Sequence, residues 1–155
     1  MRVALAQPAD LQPWLRLAAE VEPLFGPMVN DLGFHNALRK NIKRKTAFCV
    51  REDDGSPGTP LLAGVLFSLK PPVYTIGWLA VTAARRRQGL GRLLIEHVIN
   101  LVRPPAEVVV TTFGPNIQDG EPARQFYENM GFHPAEPVPA GPDGSARQIY
   151  RRTFR

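Results

Sequence analysis

Apolar residues recur along this chain in two rhythms. Seven stretches have the alternating or continuous apolar pattern of strands, and four have the three-to-four spacing of helices. Met1–Gln7 alternates weakly and reads as a first strand. Pro8-Ala9-Asp10 then opens a helix to about Leu24, with Leu11, Trp14, Leu15 and Ala18 on one stripe; Pro23, Gly26 and Pro27 end it. A second helix, about Asn30 to Lys43, carries Phe34, Leu38 and Ile42.

Thr46–Arg51 and Leu61–Leu69 read as strands joined by the Gly/Pro/Asp-rich stretch 53–60. Pro71-Pro72 turns the chain into a long strand, Val73–Val81. A helix follows over Gly89–Val102, stopped by Pro104-Pro105, and then a valine-rich strand, Glu107–Phe113. The loop Gly114–Gly120 leads to a helix with Pro122 in its first turn and Gly131 just past its end. Phe132–Val138 and Arg147–Phe154 form two last strands, joined by a turn over Ala140–Ser145. The order β-α-α-β-β-β-α-β-α-β-β predicts a mixed α/β (α+β) sheet of about seven strands and four helices.

With 155 residues and 44% hydrophobic content, one domain spanning 1–155 is expected. No apolar run reaches the ~18 residues of a membrane span, and the N-terminus has no secretory pattern. The single cysteine, Cys49, sits in the apolar run Ala47–Val50, where a buried structural thiol is expected. These features point to a cytoplasmic protein without a membrane partner. The net charge of +5 favours anionic partners.

The charge is concentrated where the pattern changes from strand to helix. Trp78-Leu79-Ala80-Val81 is followed by Arg85-Arg86-Arg87-Gln88-Gly89-Leu90-Gly91-Arg92. The first N–H groups of a helix lack intrahelical partners and sit at the positive end of its dipole. Gly89 and Gly91 carry no Cβ, so an anion can approach the main chain closely. A phosphate-bearing ligand, with a diphosphate fitting the turn, is the first hypothesis. The segment is neither a Walker loop nor a Rossmann fingerprint.

A second block, Ala123-Arg124-Gln125-Phe126-Tyr127-Glu128-Asn129-Met130-Gly131-Phe132, completes the pattern. Arg86-x-x-Gly89-x-Gly91 and Ala123-x-x-Phe126-Tyr127-x-x-x-Gly131-Phe132 together resemble the GNAT acyltransferase superfamily, whose members move an acyl group from coenzyme A to an amine. The resemblance is densest over residues 74–132. It implies acetyl-CoA as cosubstrate, no metal, and direct attack by the amine in a ternary complex. It implies a pyrophosphate cradle over Arg86, Arg87, Gln88, Gly89, Leu90, Gly91 and Arg92. Pantetheine would lie along Leu79, Ala80 and Val81, with Phe126 beside it. It implies an oxyanion donor at the Val81 N–H or its neighbour, and Tyr127 as the acid that protonates the departing thiolate.

By spacing alone Tyr127 belongs to the stripe Ala123, Phe126, Tyr127, Met130 and reads as a packed core residue; the resemblance favours the acid. Two departures stand out. Gly120 occupies the position of the family's asparagine, with Asn116 upstream as a substitute contact. Ile76-Gly77 stands where a glutamate base is common, leaving Glu22 or Asp31 as other carboxylates. His97 lies on an apolar stripe and reads as structural.

The resemblance implies an amine acceptor. A small-molecule or amino-acid-like amine is favoured over a protein N-terminus or lysine, with Trp14, Phe25, Met28, Phe34 and His35 expected near it. A non-catalytic acyl-CoA-binding or regulatory module is the alternative. Nucleic-acid binding is a weaker one, since the basic runs come with no recognition motif and read as solvated surface. A homodimer is left open.

Overall fold

A computed structural model describes residues 1–141 and 144–155. Its centre is one seven-stranded sheet. The strands are β1 (Ala4–Leu5), β2 (Ala47–Arg51), β3 (Leu61–Ser68), β4 (Val73–Val81), β5 (Ala106–Phe113), β6 (His133–Val138) and β7 (Arg147–Phe154). They lie in the order β1-β2-β3-β4-β5-β7-β6, antiparallel throughout except for the β4–β5 pair. The helices are α1 (Leu11–Phe25), α2 (Leu32–Arg44), α3 (Leu90–Ile99) and α4 (Glu121–Asn129). The expected architecture and element order are borne out.

Several boundaries differ from expectation, each for a local reason. The first strand shrinks to Ala4–Leu5, because the chain start is held elsewhere: the Arg2 N–H donates to Asp54 at 2.9 Å and the terminal amine lies 3.5 Å from the same carboxylate. Pro8–Asp10 forms a 3-10 turn before α1. Pro23 lies inside α1, which continues to Phe25 and ends at Gly26 with φ 94°. α2 starts at Leu32 because Asp31 caps it, accepting from the Phe34 N–H at 2.9 Å. α3 ends at Ile99, three residues early. Of the Ala140–Ser145 turn, Pro142 and Asp143 lie outside the described residues.

The sheet divides the core in two. On one face α1 and α2 bury Trp14, Leu17, Ala18, Val21 and Leu38 against Cys49, Leu66 and Ala80. On the other, α3 and α4 bury Leu90, Leu94, Ile95, Val98 and Tyr127 against Val65, Ile76, Val108 and Val110. One buried ion pair ties the start of α1 to β2. Asp10 accepts from Arg51 Nη2 at 2.6 Å and Nε at 3.0 Å, and also from the N–H groups of Gln7 and Gly58. Burial pushes the Asp10 carboxyl up, but the Arg51 and backbone hydrogen bonds outweigh it and hold it below the ordinary carboxylate range.

Candidate active site

The two central strands part. β4 and β5 pair in parallel only from Val73↔Glu107 to Ile76↔Val110. Beyond that point β4 continues five residues to Val81 along β3, while β5 follows β7 to Phe113. The first unpaired positions are Gly77 and Thr111. Both are exposed, although each lies in a central strand.

The ladder with β3 fixes where the parted backbone points. The Thr82 N–H donates to the Leu62 carbonyl at 2.8 Å, so Thr82 and Leu62 form a hydrogen-bonded pair. The register continues Ala63↔Val81, Gly64↔Ala80, Val65↔Leu79. Bonded and non-bonded pairs alternate in an antiparallel ladder. The N–H groups of Leu79 and Val81 therefore face away from β3, into the wedge left by β5. Arg86 Nε, 3.5 Å from the Val81 carbonyl, lies on that same side.

The turn after β4 is a nest of N–H groups. Arg87 has φ 62° and Gly89 φ 83°, both in the left-handed region. A Cβ on Gly89 would meet nothing within 4 Å, so its surroundings are open. The first hydrogen bond closing α3 runs from the Leu93 N–H to the Gly89 carbonyl at 2.9 Å, which leaves the N–H groups of Leu90, Gly91 and Arg92 at the helix start. Arg86, Arg87, Gln88 and Arg92 are exposed around this end, and the Leu90 side chain anchors it in the core. These donors, charges and open space fit a diphosphate. Glu20 of α1 holds the entry to the turn, accepting from Thr82 Oγ1 at 3.0 Å and the Ala83 N–H at 3.2 Å. No local pattern in the sequence singles out Glu20.

Gly91 differs from the expectation made for it. A Cβ there would stand 3.1 Å from the Phe126 ring, so its small size serves the close packing of α3 on α4. Phe126 in turn packs edge-on to Tyr127, with ring centres 5.1 Å apart. Tyr127 is 6% exposed and touches Phe132 and Tyr150 through ring contacts. Burial raises the pKa of its phenol, which stays protonated at neutral pH.

The departures acquire reasons. A Cβ on Gly120 would lie 2.2 Å from the Phe113 Cβ, so no side chain fits there. Asn116 is exposed on the loop after β5. That loop is fastened by Arg124, which the sequence reading did not single out; its Nη1 donates to the carbonyls of Gly114 at 2.9 Å and Ile117 at 2.6 Å. Glu22 accepts from the N–H groups of Met28 at 2.6 Å and Val29 at 3.0 Å, and these bonds hold its carboxyl below the ordinary range. Asp31 caps α2. Both carboxylates hold the α1–α2 loop in place. His97 packs against Phe48 with the rings tilted, its pKa lowered by burial, and Cys49 is buried with its thiol pushed up to about 12. Neither is set up as a base or nucleophile.

On the α1/α2 face the wedge is aromatic. Trp78 is half-buried, 5.8 Å from Phe34 and 5.6 Å from Trp14 between ring centres, and its Nε1 donates to the Met28 sulfur at 3.2 Å. Across the wedge, Phe113 stacks on Phe25 at 5.4 Å. Trp14, expected near the acceptor, is fully buried and supports Trp78 from beneath. No group of three or more metal-ligating side chains occurs among the described residues, and no helix among them is long and apolar enough to cross a membrane.

The parted β4–β5 pair lies beside this N–H-rich turn, and comparison with known proteins gives the family. Residues 44–134 match the family described as the acetyltransferase (GNAT) domain, which is more than half of the chain. The protein belongs to the GNAT acetyltransferase family. The N-alpha-acetyltransferase 40 of Saccharomyces cerevisiae is 31% identical over 105 residues, 63% of this chain but 35% of that protein. This chain therefore matches only about a third of that relative's length. Among solved structures, the NatC complex bound to Gag peptide and CoA superposes with a TM-score of 0.75 at 15% identity, covering 100% of both chains. The ribosomal-protein-S18-alanine N-acetyltransferase from Escherichia coli gives 0.69 at 19% identity, covering 97% of this chain and 92% of that one. At these identities the two structures share the fold.

Proposed function

We propose that this enzyme acetylates an α-amine, carried by an amino acid or by the first residue of a polypeptide. The observation that carries this is the engagement of the acceptor-side carboxylates. Glu22 is bonded to two backbone N–H groups and Asp31 to one, while the strand position at Gly77 has no side chain. An amine must be neutral to attack. An α-amine, with a pKa of ~7.7–8.0, is neutral in a sizeable fraction near pH 7.5, whereas a lysine amine at ~10.4 is not. A site whose two acceptor-side carboxylates are engaged in this way suits the first. The names of the yeast relative and the E. coli structure, both N-terminal or alanine acetyltransferases, lean the same way and shift weight from a free amino acid toward a polypeptide N-terminus.

Acetyl-CoA supplies an activated acetyl thioester. In our reading the N–H groups of Arg87 to Arg92 hold its pyrophosphate, and Arg86 and Arg92 add charge at the mouth. Leu79, Ala80 and Val81 form the rail for pantetheine, beside Phe126. The Val81 N–H, facing the wedge, donates to the carbonyl oxygen as negative charge develops there. The amine attacks directly from the α1/α2 face. Tyr127, on the α3/α4 face, gives its proton to the leaving sulfur.

The test is a matched panel assayed for CoA release from acetyl-CoA. It contains a peptide with a free α-amine and no lysine, the same peptide α-acetylated with one lysine, and free amino acids. The α-amine peptide should react, with kcat/KM rising through pH 7–8 and then levelling. Turnover of only the lysine peptide would reject the reading.

A further inference from the structure

Gly77 leaves one position of the central strand β4 without a side chain. It lies one residue past the last β4–β5 pair, at the root of the wedge. A Cβ built there meets nothing nearer than the Leu66 carbonyl oxygen at 3.8 Å, and its φ lies outside the left-handed region. A Cβ could therefore stand at this position without a close contact.

The side that this position faces follows from the strand. Tyr74 and Ile76 point into the α3/α4 core. Trp78 and Ala80 pack on the α1/α2 side. Continued alternation would put all four on one face. The register slip between Leu66 and Phe67 sets both Gly77 and Trp78 against Leu66, and this bulge reverses the faces. Gly77, next to inward-facing Ile76, thus opens toward α1 and α2, where the acceptor enters. Thr111, the first unpaired residue of β5, is exposed on the same face, as its parity with Phe113 and its opposition to Val108 and Val110 require. The rim is apolar. Trp78 has its one polar atom bound to the Met28 sulfur and offers ring surface, with Phe34 beside it.

We infer that Gly77 is a specificity-determining residue: the space beside it receives the side chain of the acceptor's first residue, and a large apolar side chain fills it best. This rests on the α-amine reading above. A branched residue at 77 would fill the same space and compete with a large acceptor group but not with a small one.

The experiment uses peptides identical except for Ala, Leu or Phe at the first position, assayed with wild-type enzyme and with Gly77→Ala and Gly77→Val. Each protein is also melted with and without acetyl-CoA. The wild type should prefer Leu and Phe over Ala. Gly77→Val should lower kcat/KM for Leu and Phe by about 10-fold or more, mainly through KM, the usual effect of one or two methylenes in a pocket. The Ala peptide should change by less than about 3-fold, and acetyl-CoA should still raise the melting temperature. Gly77→Ala should fall between. Equal loss on all three peptides, no change on any, or a wild-type preference for Ala would overturn the role of Gly77 while leaving the α-amine reading in place. If no peptide α-amine is acetylated, the α-amine reading itself fails and this assignment falls with it.

Discussion

Gly91 and Phe126 meet where α3 and α4 converge: a Cβ on the glycine would stand 3.1 Å from the ring Cε1 and 3.2 Å from Cζ. The second glycine of the Arg86-x-x-Gly89-x-Gly91 turn is therefore a packing residue. A bulkier side chain would push α4, and Tyr127 with it, away from the wedge. Gly91→Val should lower stability by about 1–3 kcal/mol, the range for overpacking a close contact. In a chain of this size that is a melting shift of several degrees. Shaving the opposing ring in Gly91→Val/Phe126→Leu should restore part of it. A single variant that melts like wild type would show that the contact yields freely.

Gly89 has the opposite character. Nothing lies within 4 Å of a Cβ built there, but φ is 83°. The penalty for a side chain is conformational, about 1–2 kcal/mol for an ordinary L-residue in the left-handed region. Asn tolerates that region better than Val. Gly89→Val should therefore lose both stability and acetyl-CoA affinity, while Gly89→Asn should recover much of the stability. Saturating acetyl-CoA, at ~100 times its dissociation constant, should add about 2.7 kcal/mol to the wild type. A Gly89→Val protein showing the full ligand-induced shift would count against the backbone cradle.

Asp10 and Arg51, far apart in sequence, form the buried pair that pins α1 to the sheet. Asp10→Ala would leave the Arg51 cation buried without its partner, at a cost of about 3–5 kcal/mol. The Asp10 carboxyl is held below its ordinary range, so its contribution is fully present above the unfolded-state value near ~3.9. It is lost as pH falls from there through the lower folded-state value. Stability to urea should be flat in this respect from neutral pH to about 5 and should drop below about 4. A smaller acid drop in Asp10→Asn would assign that loss to this pair; an equal drop would assign it to other carboxylates.

Much of this was legible in local pattern, and the remainder depends on long-range geometry. Val73–Val81 was readable at both ends, because Pro71-Pro72 and the polar turn bracket a continuous apolar run. The glycine-bearing turn before α3 was readable because its strand, glycines and helix are contiguous. The bulge at Gly77 was not. Tyr74, Ile76, Trp78 and Ala80 look like one uninterrupted alternation, yet the register slip places them on two faces. The parting of β4 from β5 is likewise a matter of which partner each strand keeps, and no single segment records it. Gly120 was visible only as a departure, until Phe113 showed why it must lack a side chain. The partners of Glu22, N–H groups six and seven residues on, leave no periodic mark, whereas Asp31 caps α2 through the Phe34 N–H three residues on.

Tyr127 brings the packing and catalytic readings to one side chain. Its ring is held between Phe126, Phe132 and Tyr150, so the spacing argument for a core residue was sound. Burial raises its pKa, and the phenol is protonated at neutral pH as an unperturbed one already is. Tyr127→Phe keeps the ring and removes only the hydroxyl. If the hydroxyl acts as the general acid, turnover should fall by about 10²–10⁴, the worth of a positioned proton donor, with the acetyl-CoA melting shift unchanged. If it serves only as a structural hydrogen bond, stability should drop by about 1–3 kcal/mol and the rate per folded molecule should hold. We expect the first outcome. Melting and turnover measured on one preparation, with the best acceptor from the amine panel, separate the two. A Tyr127→Phe enzyme with wild-type turnover would pass the proton-donor role to water and leave the acyl transfer itself intact.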